Sequence, residues 1–200
     1  MTLKSVRRRA IFAATFVCFA APVLAAEPPQ LAAPPGPDEV YFVLGVEQDD
    51  ALLEVRPVVV RDGALREAKF SLASHKFRAE GGYVVLKAHA NELLAVESVS
   101  MMLGKTFLGS RFEICGKTPV FQSTGGKVVY VTSMDYESPR PSLGYDPAVG
   151  SVQRTTLDTH YSQDLSGARA FLKARYPSLA DTVEQGRFDM LSFHGQPGCP

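Results

Sequence analysis

The sequence predicts a mainly β fold: an antiparallel β-sandwich, or a small barrel, closed by one C-terminal helix. Three observations carry this. Apolar and β-branched residues recur with a period of two from Val40 to Met134, strand-length runs follow one another at roughly ten-residue spacing, and glycine-containing turn signals separate them.

The chain opens on "MTLKSVRRRA", with Lys4, Arg7, Arg8 and Arg9 and no acid, followed by the apolar run "IFAATFVCFAAPVLA". A basic region, a short apolar region and a small-residue end describe a secretory signal peptide over residues 1–25, cut after Ala25 or, one residue on, after Ala26. The run is shorter than the ~20 residues of a comfortable membrane span, and Pro22 interrupts it. Residues 26–39, "AEPPQLAAPPGPDE", are proline-rich and read as an extended, flexible leader. The folded domain is expected over residues 40–200.

Its strands are read in order. "VYFVLGV" (40–46) is β-branched and aromatic, and "LLEVRPVVV" (52–60) continues the pattern with Pro57 at an edge or bulge. Asp62-Gly63 is a hairpin signal, with the return strand over 66–73. Gly81-Gly82 turns the chain into a strand from Tyr83 to Ala88. Residues 92–102 fit strand or helix; Val96, Val99 and the alternation around Glu97 favour strand. "TFLGSRFEI" (106–114), "TPVFQS" (118–123) and "GKVVYVTSM" (126–134) complete the set. Residues 135–155, rich in proline, glycine and tyrosine, read as a long ordered loop. The helix is expected over 164–176: Asp164 caps it, Leu165, Ala168, Phe171 and Leu172 form its apolar stripe, and Pro177 stops it. "RFDMLSF" (187–193) is a last extended segment.

Charge and cysteines bound the function. Four of the 21 basic residues and none of the 21 acidic ones fall in positions 1–25, which leaves the mature chain near −4. A mildly acidic chain without a basic block does not suit nucleic acid, and no second apolar run is long enough for a membrane span. The partner is then an unidentified protein or envelope component, in a secreted or periplasmic setting. Cys18 leaves with the signal, and Cys115 and Cys199 remain. An even pair in an oxidising compartment reads as a disulfide, tying the Gly/Pro tail to the body of the domain, and closing a loop of about 85 residues that way contributes ~4 kcal/mol.

Catalytic motifs are sparse. The sequence contains no G-x-S-x-G elbow, phosphate loop, H-E-x-x-H or paired CxxC, and no cofactor is implied. The histidines, at 75, 89, 160 and 194, lack metal-ligand spacing. In "LDTHYSQD", Asp158 and His160 would share a face of a strand and could orient one another as a general base requires. They centre an alternative reading, a small periplasmic hydrolase or metal-dependent enzyme, against the plainer one of a loop leading to a helix cap. His75 and His89 read as surface residues. Tyr136, Tyr145 and Tyr161 read either as exposed rings for binding or as covers for the open end of the sandwich.

The run "GGYVVLKAHANELLAVESVSMM", followed by "TPVFQSTGGKVVYVTSMDYE", resembles bacterial envelope proteins of unknown function that carry a small β-sandwich. Phe121, Gly126 and Tyr130-Val131 match an F-x-x-x-x-G-x-x-x-Y-V/I pattern, and "DLSGARAFLKARYPSLAD" is similar to their A-x-x-x-L-x-x-x-Y-P segment. The resemblance implies export and a non-catalytic β-domain; the function expected of it is that of a binding or envelope-associated module, with a barrel carrying an apolar ligand as a further reading. No functional residues come with it.

Overall fold

A computed structural model describes residues 31, 33–46, 51–68, 75–101, 111–114, 116–136, 140–146 and 150–194. The strands in chain order are β1 (Glu39–Val46), β2 (Ala51–Arg61), β3 (Ala64–Glu67), β4 (His75–Arg78) and β5 (Tyr83–His89). Then come β6 (Leu94–Met101), β7 (Arg111–Ile114), β8 (Thr118–Phe121), β9 (Lys127–Tyr136), β10 (Arg140–Asp146) and β11 (Gly150–Leu157). After β12 (Thr159–Ser162) lie helices α1 (Leu165–Arg175) and α2 (Pro177–Ala180), and the last strands are β13 (Val183–Gln185) and β14 (Asp189–Leu191). The fold is mainly β, with two sheets, one of them curled into a half-barrel, and a short C-terminal helix.

The first sheet runs β12-β9-β1-β5, with β13 also on β9. The second runs β10-β11-β7-β6-β2-β3, with β4 beside β2, β8 beside β6 and β14 beside β8. Burial explains why β1 is apolar at nearly every position. Val40, Phe42, Leu44 and Val46 face the second sheet with Leu53, Val55, Val96, Val99 and Phe121. Tyr41 and Val43 face the other way, into Ala168 and Leu172 of α1 and Leu179 of α2. A strand covered on both faces reads as a continuous apolar run. The molecule is therefore layered as sheet, sheet and helices.

Asp164 caps α1 as expected, accepting a hydrogen bond from the Gly167 backbone at 3.1 Å. The fully buried Tyr130 of β9 fixes that cap from below, since its hydroxyl accepts from the Asp164 backbone N–H at 3.0 Å and pairs with the Ser133 hydroxyl at 2.8 Å. The outer face of the second sheet holds a polar cluster. There the Arg56 guanidinium pairs with Glu97 at 2.5 Å and with Glu67, and the buried Glu54 accepts from Ser98 Oγ at 2.8 Å. A register shift between β2 and β6 makes Glu97 an extra residue, which puts it and Ser98 within reach of these groups.

Several expectations change. The pairing is mixed, because β1–β9, β9–β13 and β7–β11 are parallel. Residues 135–155 are not a loop: β9 extends to Tyr136, and β10 and β11 form an antiparallel hairpin. Pro141 is tolerated there because β10 is the sheet's edge strand. The leader is not wholly free of the fold, since Leu31 is 4% exposed and packs with the helix-side cluster, and Pro35 is buried. The return strand ends at Glu67, and the remainder expected to continue it, 69–73, lies outside the described residues. Strand β14, within the expected last extended segment, runs antiparallel beside β8.

Candidate functional site

The sequence-predicted site residues do not converge. Asp158 is exposed in the link between β11 and β12, and His160 is exposed on β12 opposite Asp135. They line neither of the grooves described below. Among the described residues, no three His, Cys, Asp or Glu side chains are grouped to hold a metal. Tyr136 and Tyr161 are not exposed contact rings. Both are half-buried and pack against the core between the sheets. Tyr136 lies opposite Thr159 and Tyr161 opposite Met134, so the two are diagonal neighbours on β9 and β12. Tyr161 donates a long hydrogen bond to the Lys117 carbonyl at 3.5 Å, and burial pushes its phenol well above the ordinary tyrosine range. Tyr145 falls on β10, and its side chain lies outside the described residues, as do Cys115 and Cys199.

A different site forms where two consecutive strands part. Gly81 and Gly82, both at positive φ, turn β4 into β5, and Glu80 and Tyr83 exchange backbone hydrogen bonds at 2.8 and 3.1 Å. A hairpin would continue from there. Instead β4 joins β2 in the second sheet and β5 joins β1 in the first. The two strands diverge into different sheets and leave an open groove of about 320 Å³ between their edges.

Side-chain parity sets its character. His75 pairs with Val55 and Phe77 with Leu53, both inward residues of β2, so the two rings face the interior, 6.1 Å apart. Leu86 and Ala88 are the inward residues of β5, and Val55 and Leu94 form the floor. His75 remains exposed because no strand closes over it on that side among the described residues. The rim is polar: Lys87, His89 and Glu92. Lys87 is held by Glu39, and this hydrogen-bonded ion pair raises the Lys87 pKa and lowers that of Glu39. The Glu92 carboxylate accepts from the His89 backbone at 3.4 Å, which steadies the turn at the mouth. An apolar floor with a few polar groups at the rim is the general make-up of a ligand site, and its volume falls at the lower end of the range of about 300–1,000 Å³ typical of such sites.

His75 and His89 are both exposed, as the sequence indicates. The usable signal was parity: His75 precedes Phe77 by two, on a strand whose inward face is apolar. Compared with family models, with curated proteins and with solved structures, the chain matches none.

Proposed function

We propose that the protein is an exported, non-catalytic binding module of the bacterial envelope, whose site is the groove between β4 and β5. The observation that carries this is the groove itself, an apolar floor with a His, Lys and Glu rim at the open corner of two sheets. Export rests on the N-terminal basic and apolar regions, and the envelope setting on the sequence resemblance. Asp158 and His160 lie away from the groove, so no observation favours the hydrolase reading.

The mature chain should bind an apolar fluorescent probe, anilinonaphthalene sulfonate, saturably and at one site. Ala88→Trp fills the groove and weakens that binding by at least roughly tenfold, whereas His160→Ala leaves it unchanged. Equal probe affinity in wild type and Ala88→Trp would sink the assignment.

The Cys115–Cys199 disulfide belongs to the same proposal. The structure supplies no support for the bond. Chain length allows it: Leu191 pairs with Thr118, three positions after Cys115, and Cys199 follows Leu191 by eight positions. Extended chain spans up to about 3.3–3.6 Å per residue, enough to bring the two sulfurs together. Thiol titration of the denatured, unreduced mature protein should find no free thiol, and finding two refutes the bond.

A further inference from the structure

We propose that the ligand of this groove is an extended peptide segment, alternating apolar and acidic residues, which adds as a strand to the open edge of β5; this rests on the groove being the binding site. The backbone supplies the first reason. Val46 donates to the Gly82 carbonyl and Ala90 to the Asp38 carbonyl, which fixes the hydrogen-bonded pairs between β1 and β5. Such pairs alternate along an antiparallel ladder. Val84, Leu86 and Ala88 therefore bond to β1, while Tyr83, Val85 and Lys87 turn their backbone groups outward. Tyr83 spends its own on Glu80. Val85 and Lys87 face the groove, and among the described residues no strand pairs with them there.

Dimensions give the second reason. Sheets packed face to face stand about 10 Å apart, and neighbouring strands about 4.7–4.9 Å apart. One inserted strand is thus the right thickness to bridge β5 and β4, whose separation grows from the Gly81-Gly82 turn towards His75. A second, water-sized hollow shares Phe77 with the main groove and is walled by Tyr83 and Val85 of β5 and by Phe171 and Tyr176 of the helical segment, so open space continues past Phe77 towards the Gly81-Gly82 turn. Elongated space with outward backbone donors and acceptors on one wall suits main-chain recognition.

Charge supplies the third. Inward side chains of the added strand would meet Phe77, Leu86 and Ala88, and so are apolar. Its outward ones would stand beside β4, whose outward side chains are both cationic, Lys76 opposite Glu54 of β2 and Arg78 opposite Leu52. On the other wall Glu39 already pairs with Lys87.

The test uses the mature chain with an acetylated hexapeptide alternating valine and glutamate, a lysine version, and a glutamate version N-methylated at alternate amides. Amide hydrogen exchange is read by NMR. The glutamate peptide should slow exchange at Val85 and Lys87 by about tenfold or more, displace anilinonaphthalene sulfonate, and outcompete the lysine peptide. N-methylation should abolish the effect, and Lys87→Pro, which removes an outward backbone donor of β5, should lose peptide binding. If the methylated peptide binds equally, or no peptide binds while the fluorescent probe still does, strand addition is wrong and the binding site stands. If neither peptide nor probe binds, both readings fall. Protection at Val85 and Lys87 that rises with protein concentration in the absence of peptide assigns the edge to a second copy of the chain and overturns the proposal.

Discussion

Phe42→Ala is expected to lower the free energy of unfolding by about 3–5 kcal/mol, the range for deleting a large buried aromatic side chain. Phe42 is fully buried on the face of β1 that meets the second sheet. Its ring lies edge-on to Phe121 of β8, centroids 4.9 Å apart at 65°. Such a pair contributes about 0.5–1.5 kcal/mol beyond the burial of its surface. The ring is thus one of the places where the two sheets interlock. Collapse onto the void is resisted because β1 is held by a strand on each side, β5 and β9, and cannot shift alone. The measurement is denaturant unfolding, with the midpoint lowered at constant slope. Val60→Ala is the control: Val60 is 47% exposed near the tip of the β2–β3 hairpin, and its truncation should stay within about 0.5 kcal/mol. A Phe42→Ala loss no larger than the control's would mean that the sheets do not pack as described.

Local chemistry was legible, and pairing across long separations was not. Asp62-Gly63 and Gly81-Gly82 announced their turns, and both sit at positive φ, the conformation those residues tolerate. The cap at Asp164 and the stop at Pro177 were equally readable, because each depends on a few neighbouring atoms. The apolar run of β1 marked a strand but not its neighbours, and nothing within it shows that β9 will lie parallel to it. The prolines between 135 and 155 suggested a loop because the rule against proline in strands concerns both edges. Only the fold reveals that β10 has a single partner. The groove failed to show for a related reason: the residues around Gly81-Gly82 specify a hairpin, whereas its opening depends on β2 and β1 claiming the two arms for different sheets. Tyr136 and Tyr161 admitted either reading, exposed ring or cover, and only the fold shows them half-buried, since a phenol carries its polarity at one end and can bury the rest.

Gly125→Ala should both destabilise the fold, by about 1–3 kcal/mol, and weaken probe binding at a groove that Gly125 does not line. A Cβ at this position would fall 1.7 Å from the Pro37 carbonyl oxygen and 3.2 Å from the Ala90 Cβ. The first contact is with backbone, which cannot swing aside as a side-chain tip can. Three turns meet there. Glu39 donates to the Gly36 carbonyl, Gly126 donates to Gly36 and Glu39, and Asn91 donates to Ser123 at 2.7 Å. Ala90, in the turn that carries His89 and Glu92, donates to Asp38 at 3.0 Å. Pushing Pro37 outward therefore loosens the segment leading into β1, while pressure on Ala90 moves the mouth of the groove. Gly63→Ala separates this from a general cost of replacing glycine: it strains a positive φ at a hairpin tip with nothing within 4 Å, so it should leave probe affinity unchanged. The readouts are the unfolding midpoint and the anilinonaphthalene sulfonate affinity, measured on both variants. A Gly125→Ala protein that keeps both at wild-type values would show that the three turns are not interlocked, and that the groove's mouth is positioned by something else.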